Sequence, residues 1–239
     1  MTPEDHDRRQ DRPAPLVAVA SAEAVLRRPE VGEHLLTDLE RQRAARFRTE
    51  TGRADFTAGH LLVRLCAARL LGVPADGLVL AQQCPDCGRA DHGKPFLPDH
   101  PDVHVSLSHT RGVVAAAAGF ETVGVDVELA ARGRSLNEVA QRVLTPAELA
   151  LVQAAAEPNL AFLRLWVRKE SLIKIGRTTM DTLASVDLSA LPLAVPAHGP
   201  LRSHYRDLHF LDWTDPVHGA AVAAVSTAEP QVVELTAGG

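Results

Sequence analysis

Asp126 and Glu128 stand two residues apart in Gly124-Val125-Asp126-Val127-Glu128. Glu170 and Lys174 stand four apart in Trp166-Val167-Arg168-Lys169-Glu170-Ser171-Leu172-Ile173-Lys174. Val123, Val125, Val127 and Leu129 alternate with Gly124, Asp126 and Glu128 at the period of two that a pleated strand imposes, so the two carboxylates share one face. Held side by side they repel, and either one takes up a proton or a cation sits between them. The second segment has helical periodicity. Trp166, Glu170 and Lys174 follow at i, i+4, i+8 along one stripe, and Glu170 faces Asp126 and Glu128 if helix and strand pack together. Oxygen ligands without clustered His or Cys point to a hard ion, Mg²⁺ rather than zinc, which keeps waters and takes phosphate oxygens as its other ligands. The same spacings also fit a solvated acidic strand face and an ordinary Glu170–Lys174 helix ion pair.

Further stretches fall into register with these two. Gly93-Lys94-Pro95-Phe96 and Val105-Ser106-Leu107-Ser108-His109-Thr110 precede them. Earlier still come Leu39-Glu40-Arg41-Gln42-Arg43-Ala44-Ala45-Arg46-Phe47 and Leu61-Leu62-Val63-Arg64. Gly-x-Asp-x-Glu followed by Trp-x-x-Lys-Glu-Ser-x-x-Lys resembles the signature of the 4′-phosphopantetheinyl transferases, in particular the broad-specificity Sfp-type branch. The upstream stretches are similar to that family's Gly-Lys-Pro, Asn-x-Ser-His, basic-helix and Leu-Leu-x-Arg elements. Order and approximate spacing match over roughly residues 35–190, and several separate motifs in register make coincidence improbable.

The resemblance implies transfer of phosphopantetheine from coenzyme A to a serine hydroxyl of an apo acyl or peptidyl carrier protein, with release of adenosine 3′,5′-bisphosphate. It implies that Asp126, Glu128 and Glu170 are the magnesium ligands. Lys174 and His109, with Ser108 beside it, would contact the CoA phosphates. Lys94 and Pro95 would line the adenine and ribose end, and Arg43 and Arg46, one turn apart, would take the 3′-phosphate. The attacking hydroxyl needs a general base, and Glu148 or Glu170 could serve, directly or through a metal-bound water. Glu148 aligns with a functional glutamate of the family, yet Thr145-Pro146-Ala147-Glu148 is also a capping box with proline at the first helical position. The chain departs from the pattern at Glu40, where another basic residue is usual and which can cap Thr37 instead. It departs also at His60, where arginine is common, and at Ser106, which replaces asparagine.

Cys84-Pro85-Asp86-Cys87-Gly88 is a separate feature. Cys-x-x-Cys followed by Gly resembles half of a zinc knuckle, with His92 and His100 near enough in sequence to complete four ligands; reduced thiols in a tight turn are the alternative. Cys66 reads as small-residue packing inside a helix.

A chain of 239 residues can bury one large core or two modest ones. The formal net charge of −5 argues against a nucleic-acid partner. Carrier proteins are usually acidic where they dock, so a local basic patch is expected, with Arg132, Arg134, Arg142, Arg164 and Arg168 as candidates. Residues 1–15 are charged and proline-rich and read as a disordered leader, not a signal peptide. The longest apolar runs are too short to span a bilayer, which makes cytoplasmic residence the default.

To hold these residues the chain must supply strands at 16–20, 78–81, 103–107, 113–118, 123–129, 184–188, 204–212 and 220–226. Helices are expected at 37–48, 53–71, 135–144, 146–156 and 159–176. The fold class is α+β. The resemblance implies two similar subdomains, 16–119 and 120–239, related by a pseudo-two-fold axis with CoA in the cleft between them, and a monomer. Two other readings fit part of the pattern. One is a different Mg²⁺-dependent phosphotransferase, although no glycine-rich phosphate loop occurs. The other is a non-catalytic interaction module organised by zinc at Cys84 and Cys87.

Overall fold

The computed structural model describes residues 12–84, 87–129, 136–194 and 199–235. Among the described residues ten strands run in chain order: β1 (Leu16–Ser21), β2 (Ala81–Gln83), β3 (Lys94–Phe96), β4 (His104–Thr110), β5 (Val113–Gly119), β6 (Val123–Leu129), β7 (Leu201–Tyr205), β8 (Leu208–Asp215), β9 (Ala220–Ser226) and β10 (Gln231–Val232). Six α-helices accompany them: α1 (Ala22–Leu26), α2 (Asp38–Ala44), α3 (Glu50–Leu71), α4 (Leu136–Val143), α5 (Pro146–Ala154) and α6 (Pro158–Lys174).

The strands form two sheets, of order β10-β1-β5-β4-β3-β2 and β6-β9-β8-β7. Alternation along the strands decides what each face meets. Val17, Val113, Ala115 and Ala117 of the first sheet bury against Val123, Val125, Val127, Ala220, Val222 and Ala224 of the second, so the sheets pack face to face. On its other face the first sheet carries α3 through Val114, Ala116 and Ala118 against Ala58, Leu61 and Leu62. The second sheet carries α6, with Leu163 and Val167 over Ala221 and Ala223. The order of layers is therefore helix, sheet, sheet, helix, an α+β arrangement.

Several elements follow local chemistry closely. Thr37 and Thr145 each open a helix with a complete capping box, to Glu40 and Glu148. Helix α3 ends at Gly72, whose φ of 68° is the left-handed stop that glycine takes without a Cβ penalty.

Besides α1 and β3, which the sequence expectation did not include, the structure differs from it in four places. The stretch around 184–188 is not a strand; a 3₁₀ turn occupies Met180–Ser185. The single strand expected at 204–212 is a hairpin, β7 and β8, turning at Arg206 with φ 57°. The last strand, β10, leaves the second half and pairs in parallel with β1, so the chain beyond about 230 belongs to the first sheet. Residues 12–15, read as part of a disordered leader, are tied down: Arg12 lies over the Phe120 ring and the Pro15 carbonyl accepts from the Gln231 N–H at 2.8 Å. Residues 1–11 lie outside the described residues. No described helix is long and apolar enough to cross a membrane.

Candidate active site

Strand β6 lies at the sheet-to-sheet junction with one face toward α6. Register with β9 places Gly124, Asp126 and Glu128 opposite Val225, Ala223 and Ala221. Gly124 is where the helix comes closest. A Cβ there would sit 2.5 Å from the Ser171 carbonyl oxygen and 2.9 Å from Ile175 Cγ2, so only glycine admits α6 at this distance. Ser171 fixes the contact from the helix side, its hydroxyl donating to the Val167 and Ala223 carbonyls at 2.7 and 2.9 Å. Glu170 and Lys174 thereby come to stand beside the acidic strand.

The geometry around Asp126 joins the two halves. Lys174 Nζ donates to Asp126 Oδ1 and to the Leu107 carbonyl, both at 3.0 Å. Ser108 Oγ, on β4 of the first sheet, donates to the same Oδ1 at 2.7 Å. Two residues earlier on that face, Ser106 Oγ accepts from the Val125 N–H at 3.1 Å. This bond explains what a small polar residue does at position 106, and the i, i+2 spacing of the two serines was the available signal for it. Asp126 Oδ2 is buried and has no hydrogen-bond partner.

A buried carboxylate oxygen left bare is costly. Burial, followed by the charges of Asp126 and Glu128, pushes the Glu170 carboxyl above its ordinary range against the opposing pull of Lys174. An orphaned anionic oxygen, a strained neighbouring carboxyl and an all-oxygen donor set fit a hard divalent cation held by Asp126, Glu128 and Glu170. The three do not converge within 4.8 Å of one another in this structure; among the described residues only Cys84, Cys87 and His92 do so.

Next to this acidic strand lies a cleft of about 420 Å³, lined by Gln82, Lys94, Pro95, Ser106, Leu107 and Lys174 among others. Lys94, Pro95 and Lys174 therefore line one cleft. Gln82, which sequence reading passed over, ties this wall to α2: its Oε1 accepts from Arg43 Nη1 and its Nε2 donates to the Gly93 carbonyl at 3.2 Å.

The Arg43 guanidinium also lies 5.0 Å over the Phe56 ring. Burial and the repulsion of Arg46 weigh against the charge of Arg43, while Asp91 and Glu40 support it. His109 leaves β4 on the face opposite Ser108, its ring 3.9 Å from where a Cβ on Gly59 would stand. The surrounding protein lowers its pKa, Asp55 works in the other direction, and the charges of Lys174 and Arg43 both lower it further. The charges of Lys174 and Arg43 thus both disfavour a cationic His109. Arg46 is exposed and free of this wall.

Three expectations are corrected by burial. Glu148 is fully buried and occupied. Lys169 Nζ lies 2.7 Å from its Oε2, the Thr145 N–H donates to that oxygen at 2.8 Å, and the Leu188 N–H donates to Oε1 at 2.9 Å. Both oxygens are engaged in the core. Arg168 is buried too, clamped by two hydrogen bonds to Asp212 at 3.1 and 2.9 Å, and offers nothing to a docking partner. Arg164 is half-buried, donating to Thr214 Oγ1 at 3.2 Å. Arg142 is exposed as expected, and Arg132 and Arg134 lie outside the described residues.

Glu40 is more than a helix cap. Besides the Thr37 N–H, its carboxylate accepts from Arg64 Nη1 and Nη2 at 2.9 and 2.7 Å and meets His60 Nδ1 at 2.6 Å, all buried. Substituting an acid here and a histidine at 60 therefore builds an internal network in place of surface cations. Burial alone would raise the Glu40 pKa, but the hydrogen bonds from His60 and Arg64 outweigh it and hold it at about 2, against an ordinary 4.5. A depressed carboxyl contributes stability that is present above 4.5 and lost as pH falls toward 2, on the order of 3 kcal/mol in full. Urea unfolding of the wild type and Glu40→Gln will show it. The stability gap between them should narrow by roughly 1 kcal/mol from pH 7 to pH 3.5, and a gap independent of pH would remove Glu40 as the titrating group.

The helix–sheet–sheet–helix α+β fold thus sets Asp126, Glu128, Glu170 and Lys174 beside a cleft. Residues 122–226, from β6 through β9, match the 4′-phosphopantetheinyl transferase superfamily. A 4′-phosphopantetheinyl transferase of Bacillus subtilis is 28% identical over 137 residues, covering 56% of this chain and 57% of that protein. The 4′-phosphopantetheinyl transferase Sfp of Bacillus subtilis (strain 168) is 29% identical over the same length and shares. A third, the Bacillus subtilis transferase ffp, is 36% identical over 86 residues, 35% of this chain and 38% of its own. The chain thus spans a little over half the length of the first two relatives, at 57% of each.

Proposed function

We propose that this protein transfers 4′-phosphopantetheine from coenzyme A to the serine hydroxyl of apo acyl or peptidyl carrier proteins, releasing adenosine 3′,5′-bisphosphate. The observation that carries the reading is the junction at Asp126. A buried, bare carboxylate oxygen on the acidic strand is bracketed by Lys174 from α6 and Ser108 from the opposite sheet, at the edge of a cleft with Lys94 and Pro95 on its wall.

Asp126, Glu128 and Glu170 would hold Mg²⁺, which when bound supplies charge neutralisation for the pyrophosphate oxygens. Lys174, a compact point charge beside Asp126, stabilises charge that develops on the phosphoryl oxygens as the serine oxygen attacks the β-phosphate and the bisphosphate leaves. Glu170 accepts the serine proton, directly or through a metal-bound water, since both Glu148 oxygens are engaged in the core. His109 steadies the donor phosphates, and Arg43 with Arg46 takes the 3′-phosphate. Ser108 and Lys174 fix Asp126 Oδ1 so that Oδ2 is presented in one orientation. Because both sides of the site come from one chain, the reading includes a monomer. CoA as donor goes with a cytoplasmic protein, and the net charge of −5 argues against nucleic acid as a partner.

Chromatographic detection of adenosine 3′,5′-bisphosphate tests the reaction: it should accumulate only when CoA, an apo carrier and Mg²⁺ are all present. Arg43→Ala tests the donor end. The apparent KM for CoA should rise roughly tenfold or more, as expected for losing a charged hydrogen bond, while that for 3′-dephospho-CoA should barely move. An equal rise for both would remove Arg43 from the 3′-phosphate.

A further inference from the structure

We propose that Cys84, Cys87 and His92 bind one Zn²⁺ that pins the hairpin forming the wall of the cleft. The hairpin is β2–β3, paired at Ala81–Phe96, Gln82–Pro95 and Gln83–Lys94, and the three residues lie in the loop that closes it. One ligand atom from each falls within 4.8 Å of the others. Neither thiol is in a disulfide. The backbone is wrapped for a shared ligand: the Gly88 N–H donates to the Cys84 carbonyl and the Cys84 N–H to the Arg89 carbonyl, both at 2.9 Å. Gly88 itself has a φ of 71°. Gly93, with φ 103°, brings the far arm back so tightly that a Cβ would lie 2.3 Å from the Gln83 carbonyl oxygen.

Orientation of the imidazole is the second observation. His92 Nδ1 lies 2.8 Å from Asp91 Oδ1, and Nε2 faces Cys87 Sγ at 3.3 Å. Asp91 is in turn held by Arg89, whose Nε donates to Oδ1 at 3.1 Å. A carboxylate on Nδ1–H fixes the tautomer that turns the Nε2 lone pair toward the thiols, the usual second partner of a metal-binding histidine. Two thiolates and an imidazole select zinc over the hard ion of the acidic strand. Binding releases the two thiol protons to solvent, and a water completes the tetrahedron. His100, close in sequence, is not part of the group.

The consequence for function rests on the transferase reading. The loop closes directly onto Lys94 and Pro95, and Gln82 links the same hairpin to Arg43, so zinc fixes the register of the CoA wall and the reach of the 3′-phosphate arginine together.

Metal analysis of protein prepared without a polyhistidine tag tests the site independently of any activity. About one zinc per chain should survive dialysis against a weak chelator and be lost in Cys87→Ser. Co²⁺ added to the metal-free wild type should give the intense visible bands of a tetrahedral thiolate site, a readout that needs no variant to fold. Asp91→Asn should weaken zinc binding roughly tenfold. Negligible zinc after loading, equal zinc in Cys87→Ser, or an octahedral Co²⁺ spectrum would overturn the site. Where transfer is measurable, Cys87→Ser should raise the KM for CoA severalfold and leave that for the carrier unchanged; zinc bound without any such rise would overturn the positioning role.

Discussion

Asp126→Asn should reduce phosphopantetheinyl transfer by at least about 10²–10³-fold, roughly 3–4 kcal/mol of transition-state stabilisation, while the melting temperature moves by only about 3 °C. The two effects separate because Asp126 has two different oxygens. Oδ1 accepts from Ser108 and Lys174, and an asparagine carbonyl can keep both bonds. Oδ2 is bare and buried, and replacing it with an amide N–H₂ turns the oxygen proposed to hold the metal into a donor. Steady-state kinetics with CoA and an apo carrier, beside calorimetric melting, reads both. Activity within about tenfold of wild type would take Asp126 out of the metal site.

Glu148→Ala should behave in the opposite way. Removing one member of a fully buried ion pair leaves the other uncompensated, which costs on the order of 3–5 kcal/mol. Lys169 donates to the Val143, Leu183 and Val186 carbonyls at 2.7, 2.9 and 2.8 Å, so the pair joins the end of α4, the start of α5, the middle of α6 and the 3₁₀ turn beyond it. Loss of the carboxylate should lower urea stability by that amount. At a temperature where the variant remains folded, kcat should stay within a few fold of wild type. A variant as stable as wild type with kcat down a hundredfold or more would restore Glu148 as the base.

These two carboxylates show where the sequence was legible. At 123–129 strict alternation fixes the strand, its buried face and the acidic pair, and the structure has β6 over the same residues. On α6 the i, i+4, i+8 stripe puts Glu170 and Lys174 on the side that meets β6, although Lys174 pairs with Asp126 rather than with Glu170 in the helix. Local signals therefore place Asp126, Glu128, Glu170 and Lys174 on the faces they occupy in the structure.

What stayed hidden depends on partners far along the chain. Arg168 carries no mark in its own helix to distinguish it from a solvated arginine, because the carboxylate that buries it is Asp212, 44 residues later. Glu40 reads as a cap from Thr37, while Arg64, 24 residues on, makes it a core residue. The stretch at 184–188 has strand-like composition, but Lys169 captures the Leu183 and Val186 carbonyls and a 3₁₀ turn suits that geometry better. β10, two residues long, carries too little periodicity to be seen.

Intact-protein mass spectrometry of an apo carrier protein, incubated with this protein, CoA and Mg²⁺ with and without EDTA, tests the central claim most directly. The account predicts a mass gain of one phosphopantetheine on the carrier that EDTA abolishes. No gain on any of several acyl and peptidyl carriers would contradict it.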